Sequence, residues 1–410
     1  MRYLVEFFVQ VVVAFVVLYS GAWFYFSGKI EDQAREVLNQ IGAQVTENNP
    51  HGRLFHGEVR VSGYPLYMRV EIDQLRVKTN LSSKPTQQSN LNADIYLDNT
   101  LFIESEIFGN KTYIHLPQSI GFILANNNEN NFDNLNNIVL KNGIIEVELS
   151  KSPIGYFFNS GNILPFAYRR LENDLVSLKY SDDGLEIFTP KGDISYFNSE
   201  GHRFFSSNSE RDGKFIRKMK MSSLGTNIKE NFTDEFLKAV VGLYPEDKEK
   251  LKNAAAKLSQ HGNISYSLDG ELNSKELFPI SLYEVNIIMS DFALNINKIS
   301  LKNDLYSFDI DGSIKKSADD NSLEGAIKID FNNYKKGLAE WSKTISFLLN
   351  LYNVNDDEIV KALEKAAEIS EGDKNMSLKL ERIGRNELNI GKVTLSEFME
   401  LLPASELRNN

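Results

Sequence analysis

From Leu4 to Phe26 the chain reads LVEFFVQVVVAFVVLYSGAWFYF, an almost unbroken apolar run. A helix of about 20 such residues crosses a hydrocarbon core of roughly 30 Å. No run of that length recurs in the rest of the 410 residues. The sequence therefore predicts a single membrane-spanning helix, followed by a large folded body. Leu4, Phe8, Val12, Phe15, Val16, Trp23 and Phe26 are its expected anchor residues. Glu6 lies near the end of the span, where a carboxylate can reach water.

A cleavable signal is the alternative, because Ser20, Gly21 and Ala22 have the small-residue character of a cleavage site. Retention is favoured by the apolar run continuing through Trp23, Phe24, Tyr25 and Phe26, aromatics suited to a membrane–water interface. The segment before the run is also poorly basic: Arg2 is its only cationic side chain, and Glu6 opposes it. Cleavage after Ala22 stays open. Arg2 orients the anchor with its N-terminus in the cytoplasm. The main domain of a single-pass protein is then expected outside, which in a double-membraned bacterium means an inner-membrane anchor and a periplasmic domain.

With no cysteine in the chain, disulfides, thiolate zinc sites and cysteine nucleophiles are excluded. The formal net charge of −11 argues against nucleic acid as a partner. The body must stand on its apolar core, and it is long enough to do so.

Gly28 to Val45 reads as an amphipathic helix, with Ile30, Ala34, Val37, Leu38, Ile41 and Val45 at helical spacing. It either continues from the anchor or follows a break at Ser27-Gly28, and its stripe should dock on the domain. Beyond it the period changes to two. Leu66, Met68, Val70 and Ile72 alternate with polar residues, as in a half-buried strand. Leu75 and Val77 continue out of phase, which predicts a bulge or corner near Gln74.

Further strands are expected at Ala93 to Leu97, Leu101 to Phe108, Thr112 to Leu116, Asp193 to Phe197 and Lys214 to Met221. Hairpins are expected at Asn142-Gly143 and Asp183-Gly184. Helices are expected over Thr233 to Leu243 and Glu246 to Leu258. A strand at Ile264 to Leu272 and a meander from Leu282 to Phe331 follow, with turns at Asn303-Asp304, Asp311-Gly312 and Asp319 to Asn321. Two helices, Tyr334 to Leu351 and Asp356 to Ile369, and short strands near Met376 and Ile390 complete the chain.

The fold class expected is strand-dominated α+β: an N-terminal transmembrane helix, then long curved antiparallel sheet with a few packed helices. The expected divisions are 1–27 for the anchor and 28–47 for the amphipathic helix. They are followed by 48–260 and 261–410, two β-rich regions each with a helix pair.

No G-x-S-x-G elbow, P-loop, G-x-G-x-x-G or H-E-x-x-H is present. The five histidines, His51, His56, His115, His202 and His261, are scattered and read as surface or loop residues. His56-Gly57-Glu58 has the H-x-E spacing of zinc deaminases but lacks their cysteines. Asp309 and Asp311 would share a strand face and can be read as calcium ligands, but a turn is favoured because the other EF-hand ligands are absent. No metal, cofactor or catalytic residue is assigned, and no enzymatic activity is expected.

Arg211 to Met221, RDGKFIRKMKM, is the one basic run. Lys218 and Lys220 would share a face opposite Arg217. They read as a solvated edge strand, with contact to anionic lipid headgroups through Arg217, Lys218 and Lys220 as the functional alternative. A long sheet with few helices to cover it can leave an apolar groove exposed. Leu66, Met68, Val70 and Ile72, with Phe292, Leu294 and Ile296, are its candidate lining, and ordinary core is the competing reading.

The stretch Val59, Arg60, Val61, Ser62, Gly63, Tyr64, Pro65, Leu66, Tyr67, Met68, Arg69, Val70 resembles a family of uncharacterised bacterial membrane-anchored envelope proteins. In these an anchor precedes a V-x-G-[FY]-P-[FL] start to a strand. The segment from Gly325 to Tyr334 and its helix are similar to strand-then-helix units of that family and of AsmA-like proteins. The resemblance implies a periplasmic domain on a long curved antiparallel sheet and a role in envelope lipid handling. It implies no catalytic residues. Together these readings lead us to expect a non-enzymatic envelope protein that binds an apolar ligand, a lipid, or helps maintain the cell envelope. The alternative is a structural scaffold for another envelope protein.

Overall fold

Helix α1 runs unbroken from Arg2 to Asn48 in the computed structural model, so the anchor and the amphipathic segment are one element with no break at Ser27-Gly28. The structure describes residues 2–48, 52–63, 67–80, 91–97, 99–106, 109–126, 135–152, 174–188, 195–228, 262–274, 292–316, 322–338, 356–369, 374–382 and 388–401. Helix α1 is long and apolar enough to cross a membrane. The chain divides into two compact units, Met1–Ser177 and Leu178–Asn410. The division does not fall at residue 260, because strands on either side of that point pair along most of their length, from Phe215 opposite Ser274 to Thr226 opposite Ile264.

In the first unit the strands come in collinear pairs: β1 (Arg53–Phe55) with β2 (Val59–Ser62), β3 (Tyr67–Ile72) with β4 (Arg76–Asn80), β5 (Leu91–Leu97) with β6 (Leu101–Glu106), β7 (Lys111–His115) with β8 (Ser119–Asn126), and β9 (Leu135–Lys141) with β10 (Ile144–Leu149). One half of each long strand pairs in the antiparallel order β2–β3–β6–β7–β10. The other half pairs as β1–β4–β5–β8–β9. The unit is thus a five-stretch meander with one crease across every strand. Hydrogen bonds stitch along the crease, from Gly57 N to Asp73 O (2.7 Å), Leu97 N to Leu75 O (2.8 Å) and Leu116 N to Gly143 O (2.8 Å).

The corner expected near Gln74 is this crease, and Gln74 has φ 51°. Asn142, with φ 52°, belongs to it too. The expected hairpin at Asn142-Gly143 is therefore a bend within one long strand: β9 pairs with β8, and β10 with β7. At Gly63, φ is 99°, and a Cβ there would stand 2.7 Å from the Tyr67 carbonyl oxygen. The chain can turn into β3 at that position only with glycine.

The core of this unit is the sheet face under α1. Trp23, Ile30, Ala34 and Leu38 repeat on one side of the helix and are buried against Val59, Met68, Val70, Ile72 and Leu101. Arg35 fixes the docking by donating to the Val59 carbonyl (3.0 Å) while paired with Glu31 (2.9 Å). The opposite face is polar, with Arg69 on Glu104 and Arg76 on Asp94.

β11 (Leu175–Ser181) leads into the second unit. That unit is a long antiparallel meander of β12 (Gly184–Phe188), β13 (Ser195–Arg211), β14 (Lys214–Ile228), β15 (Ile264–Ser274), β16 (Phe292–Lys302), β17 (Ser307–Lys316), β18 (Leu323–Asn332) and β20 (Asn375–Arg382). Short strands β19 (Glu368–Ile369) and β21 (Asn389–Ile390) flank β20, and β22 (Val393–Thr394) closes on β21.

Asp183-Gly184 is not a hairpin turn. Asp182 N bonds to His202 O and Leu185 lies opposite Ser199, so the chain on both sides of the dipeptide follows β13. The true hairpin is Asp212-Gly213, with φ 53° and 69° between the paired Arg211 and Lys214, a two-residue turn left-handed at both positions. Asp311-Gly312 sits in the middle of β17. Helix α2 (Asp356–Ala366) ends before the expected Ile369, because Glu368 and Ile369 pair with β20. A helical turn at 334–338, α2 and α3 (Leu395–Leu401) form a cap in which Tyr334, Leu338, Ala366, Met376, Leu378 and Ile390 are buried. The expected helices at 233–258, the helix beyond 338, and the turn at Asp319 to Asn321 lie outside the described residues.

Candidate functional site

Residues directly opposite one another in antiparallel strands point to the same face. In the second unit this rule sorts the residues by chemistry. On one face β14 presents Met219 and Met221, and β15 presents Leu268 and Leu272. β16 presents Phe292, Leu294, Ile296, Ile299 and Leu301, and β17 presents Phe308, Ile310 and Ile314. β18 carries Ile327, Ile329 and Phe331 on the same side. A bulge at Asn297 keeps Ile296 and Ile299 on this face although they are three residues apart.

The other face is charged. Lys220 pairs with Asp269 at 2.8 Å and Lys298 with Asp309 at 3.5 Å, while Lys328 donates to Asp330 at 2.7 Å. The hydrogen bond from Lys220, and a second from Asn297, hold the Asp269 carboxyl below the usual carboxylate range.

The two ends of the apolar face differ. Over β18 and β20 it is covered by the helical cap, with Ile329, Phe331 and Leu380 packed against the buried cluster. Over β14 to β17 none of its large apolar side chains is buried: Met221 is exposed, and Met219, Leu268, Leu272, Phe292, Leu294, Ile296, Ile299, Leu301, Phe308, Ile310 and Ile314 are half-buried.

The expected groove residues separate accordingly. Phe292, Leu294 and Ile296 lie together on this half-buried face. Met68, Val70 and Ile72 belong to the other unit and are buried under α1. They line no open groove there, because the helix stripe that needed covering occupies their face. Leu66 lies outside the described residues. Of the anchor residues, Val12, Phe15 and Val16 are exposed on α1. Trp23 is buried and Phe26 packs beside it on the domain, so these two belong to the protein core. The backbone of Leu4 and Phe8 lies in α1. Lys218 and Lys220 share the charged face and Arg217 the opposite one, as expected. Their strand, however, is central, paired on both sides with β13 and β15. Arg217 donates to Asn208 at 2.9 Å.

A polar network at the far end of the apolar face has no counterpart among the sequence motifs. His202 Nδ1 meets Asp182 Oδ2 at 2.9 Å, and its Nε2 meets Ser199 Oγ at 2.7 Å. The left-handed Gly201, φ 48°, interrupts strand alternation so that Ser199 and His202 can meet. The Tyr180 hydroxyl donates to Asp182 at 2.6 Å. Burial, then this bond and the carboxylate charge, push the Tyr180 phenol far above its ordinary value.

Nucleophile, base and orienting carboxylate are all within reach, yet Ser199 is 0% exposed and its Oγ is shared with Thr226 Oγ1 (2.8 Å) and the Gly225 carbonyl (3.1 Å). A substrate has no approach to it, and the network reads as a closed, satisfied junction between strands.

At the strand ends a cavity of about 650 Å³ is lined by Asp309, Asp330, Glu368, Phe331 and Met376 among others. Burial raises the Asp330 pKa, but hydrogen bonds from Lys328 and Ser377 outweigh it and hold the group below its ordinary value. Among the described residues no group of three or more acidic, histidine or cysteine side chains is placed to hold a metal ion. No protein-family model matches the chain, and no curated protein sequence matches it.

Proposed function

We propose that this chain is a membrane-anchored, non-enzymatic envelope protein whose β-rich domain binds an apolar ligand, a lipid, on the sheet face of β14 to β17. One observation carries the reading. That face carries large apolar side chains on four adjacent strands, all half-buried except the exposed Met221, while the reverse face carries the cross-strand ion pairs Lys220–Asp269 and Lys298–Asp309. Contiguous apolar surface of this kind marks a binding site in a soluble domain, and removing it from water supplies affinity at about 25 cal/mol per Å². The exposed apolar stretch of α1 from Val12 to Leu18 supplies an anchor beside a source of lipid. The resemblance of the Val59 to Val70 stretch to anchored envelope proteins agrees with a periplasmic placement and a role in lipid handling.

The test is lipid extraction and mass spectrometry on the full chain purified in a mild detergent. Co-purified lipid that is lost in Leu294→Asp is expected. A chain that carries no lipid and binds no apolar probe would overturn the proposal. A stoichiometric protein partner found in its place would favour a scaffold.

A further inference from the structure

One residue of the apolar face is neither apolar nor satisfied. Lys316, the last residue of β17, lies between Phe292 of β16 and Leu323 of β18. It is only 9% exposed, and its Nζ has no hydrogen-bond partner among the described residues. An ammonium removed from water without a partner is among the most unfavourable groups a fold can hold. The lysines of this meander with ion pairs among the described residues, Lys220, Lys298, Lys328 and Lys379, form them on the charged face. In the row of Lys316 itself the sequence of opposed residues is Glu210, Phe215, Ser274, Phe292, Lys316. Its one carboxylate is four strands away, about 19 Å at the usual strand spacing.

Reading back along β17 from Lys316, the same face carries Ile314, Gly312, Ile310 and Phe308. From 308 to 314 that strip is about 20 Å long at roughly 3.3 Å per residue. One leaflet of a bilayer core is about 15 Å deep, so the strip is long enough for one acyl chain of a membrane lipid.

We infer that Lys316 is the anion-binding end of the apolar face and that its ligand is a phospholipid, with the phosphate on the Lys316 ammonium and an acyl chain along Ile314, Ile310 and Phe308. The inference rests on the proposed lipid-binding function and names the ligand class for that same face. A cation suits the phosphate as a point charge, and the apolar rows suit the chain. Phosphate is chosen over carboxylate because the anchor places the domain beside a bilayer.

The probes are phosphatidic acid and diacylglycerol with identical acyl chains, which differ only in the phosphate, and free palmitate. Binding is measured by native mass spectrometry of the full chain released from detergent micelles. We expect phosphatidic acid to bind at least ten-fold more tightly than diacylglycerol. Lys316→Met should bring it down to the diacylglycerol level, and Lys316→Arg should restore the preference. Lys316→Gln, with a cooperative thermal melt recorded for each variant, separates loss of the amine from loss of the fold. Equal binding of the two lipids, or a preference that survives Lys316→Met, overturns the role of Lys316 and leaves the lipid-binding function standing. Palmitate bound as tightly as phosphatidic acid overturns the phosphate assignment. No binding of any probe overturns the lipid-binding function and this inference with it.

Discussion

Ile30 is the most informative single position for the way α1 is held. It is 1% exposed and packs in the cluster with Val59, Met68, Val70 and Ile72. Ile30→Ala removes three buried carbons, about 2.4 kcal/mol at roughly 0.8 kcal/mol each. A sheet clamped by ladder hydrogen bonds collapses poorly into the space left behind, and the cavity raises the loss to about 3–4 kcal/mol. Ile41, on the same helix but 42% exposed, serves as the control, and Ile41→Ala should cost within about 0.5 kcal/mol.

The assay is urea unfolding of the full chain in detergent micelles, in a Trp341→Phe background, so that Trp23, a member of the same cluster, is the only tryptophan and reports under selective excitation. With a slope of about 2 kcal/mol per M, a loss of about 3 kcal/mol lowers the midpoint by about 1.5 M. Equal midpoints for Ile30→Ala and Ile41→Ala would refute the docking of α1 on β1 to β3.

Three further outcomes follow from particular contacts. Gly63→Ala forces a Cβ to 2.7 Å from the Tyr67 carbonyl oxygen at φ 99°. It should destabilise the first unit by about 1–3 kcal/mol, read as faster hydrogen exchange in β2 and β3. The raised Tyr180 pKa stabilises the fold fully below the ordinary tyrosine value near pH 10 and is lost progressively above it. Unfolding between pH 10 and 12 should therefore be steeper in wild type than in Tyr180→Phe. Lys220→Met breaks an ion pair whose two side chains are largely solvated. It should change stability by less than about 1 kcal/mol, and by less still as salt is raised, in thermal melts.

Local pattern revealed some of this fold, and long-range pairing decided the rest. The phase slip after Ile72 showed the corner at Gln74, because a bend in a strand changes which residues alternate. Asn142-Gly143 gave a strong hairpin signal, but a left-handed asparagine also bends a strand that continues. Only pairing with β7 and β8 separates the two outcomes. Asp212-Gly213 carried the same signal inside the basic run and was obscured by its charges.

Met68, Val70 and Ile72 alternate as groove residues would. Their burial depends on where α1 lies, and the β3 pattern holds no information about that. Phe292, Leu294 and Ile296 have a similar pattern and the opposite outcome. The junction of Asp182, Ser199 and His202 was hidden because its members are scattered in sequence and meet only through a kink at Gly201. Lys316 looked like any strand-end lysine until the register put it on the apolar side.

The continuity of α1 has a mechanical meaning. With the residues before Trp23 in a bilayer, the first unit is not tethered by a flexible strap. It is the far end of the same rod, and it joins the rod at Trp23 with no hinge. Its height above the lipid and the direction it faces are therefore counted in helical residues. One residue inserted between Val12 and Ala22 would lift the sheet by about 1.5 Å and turn it by about 100°. Three or four inserted together would return it nearly to its original heading, one turn higher. Function that rises and falls with that period would show that the rod sets how this protein meets whatever lies beyond the membrane.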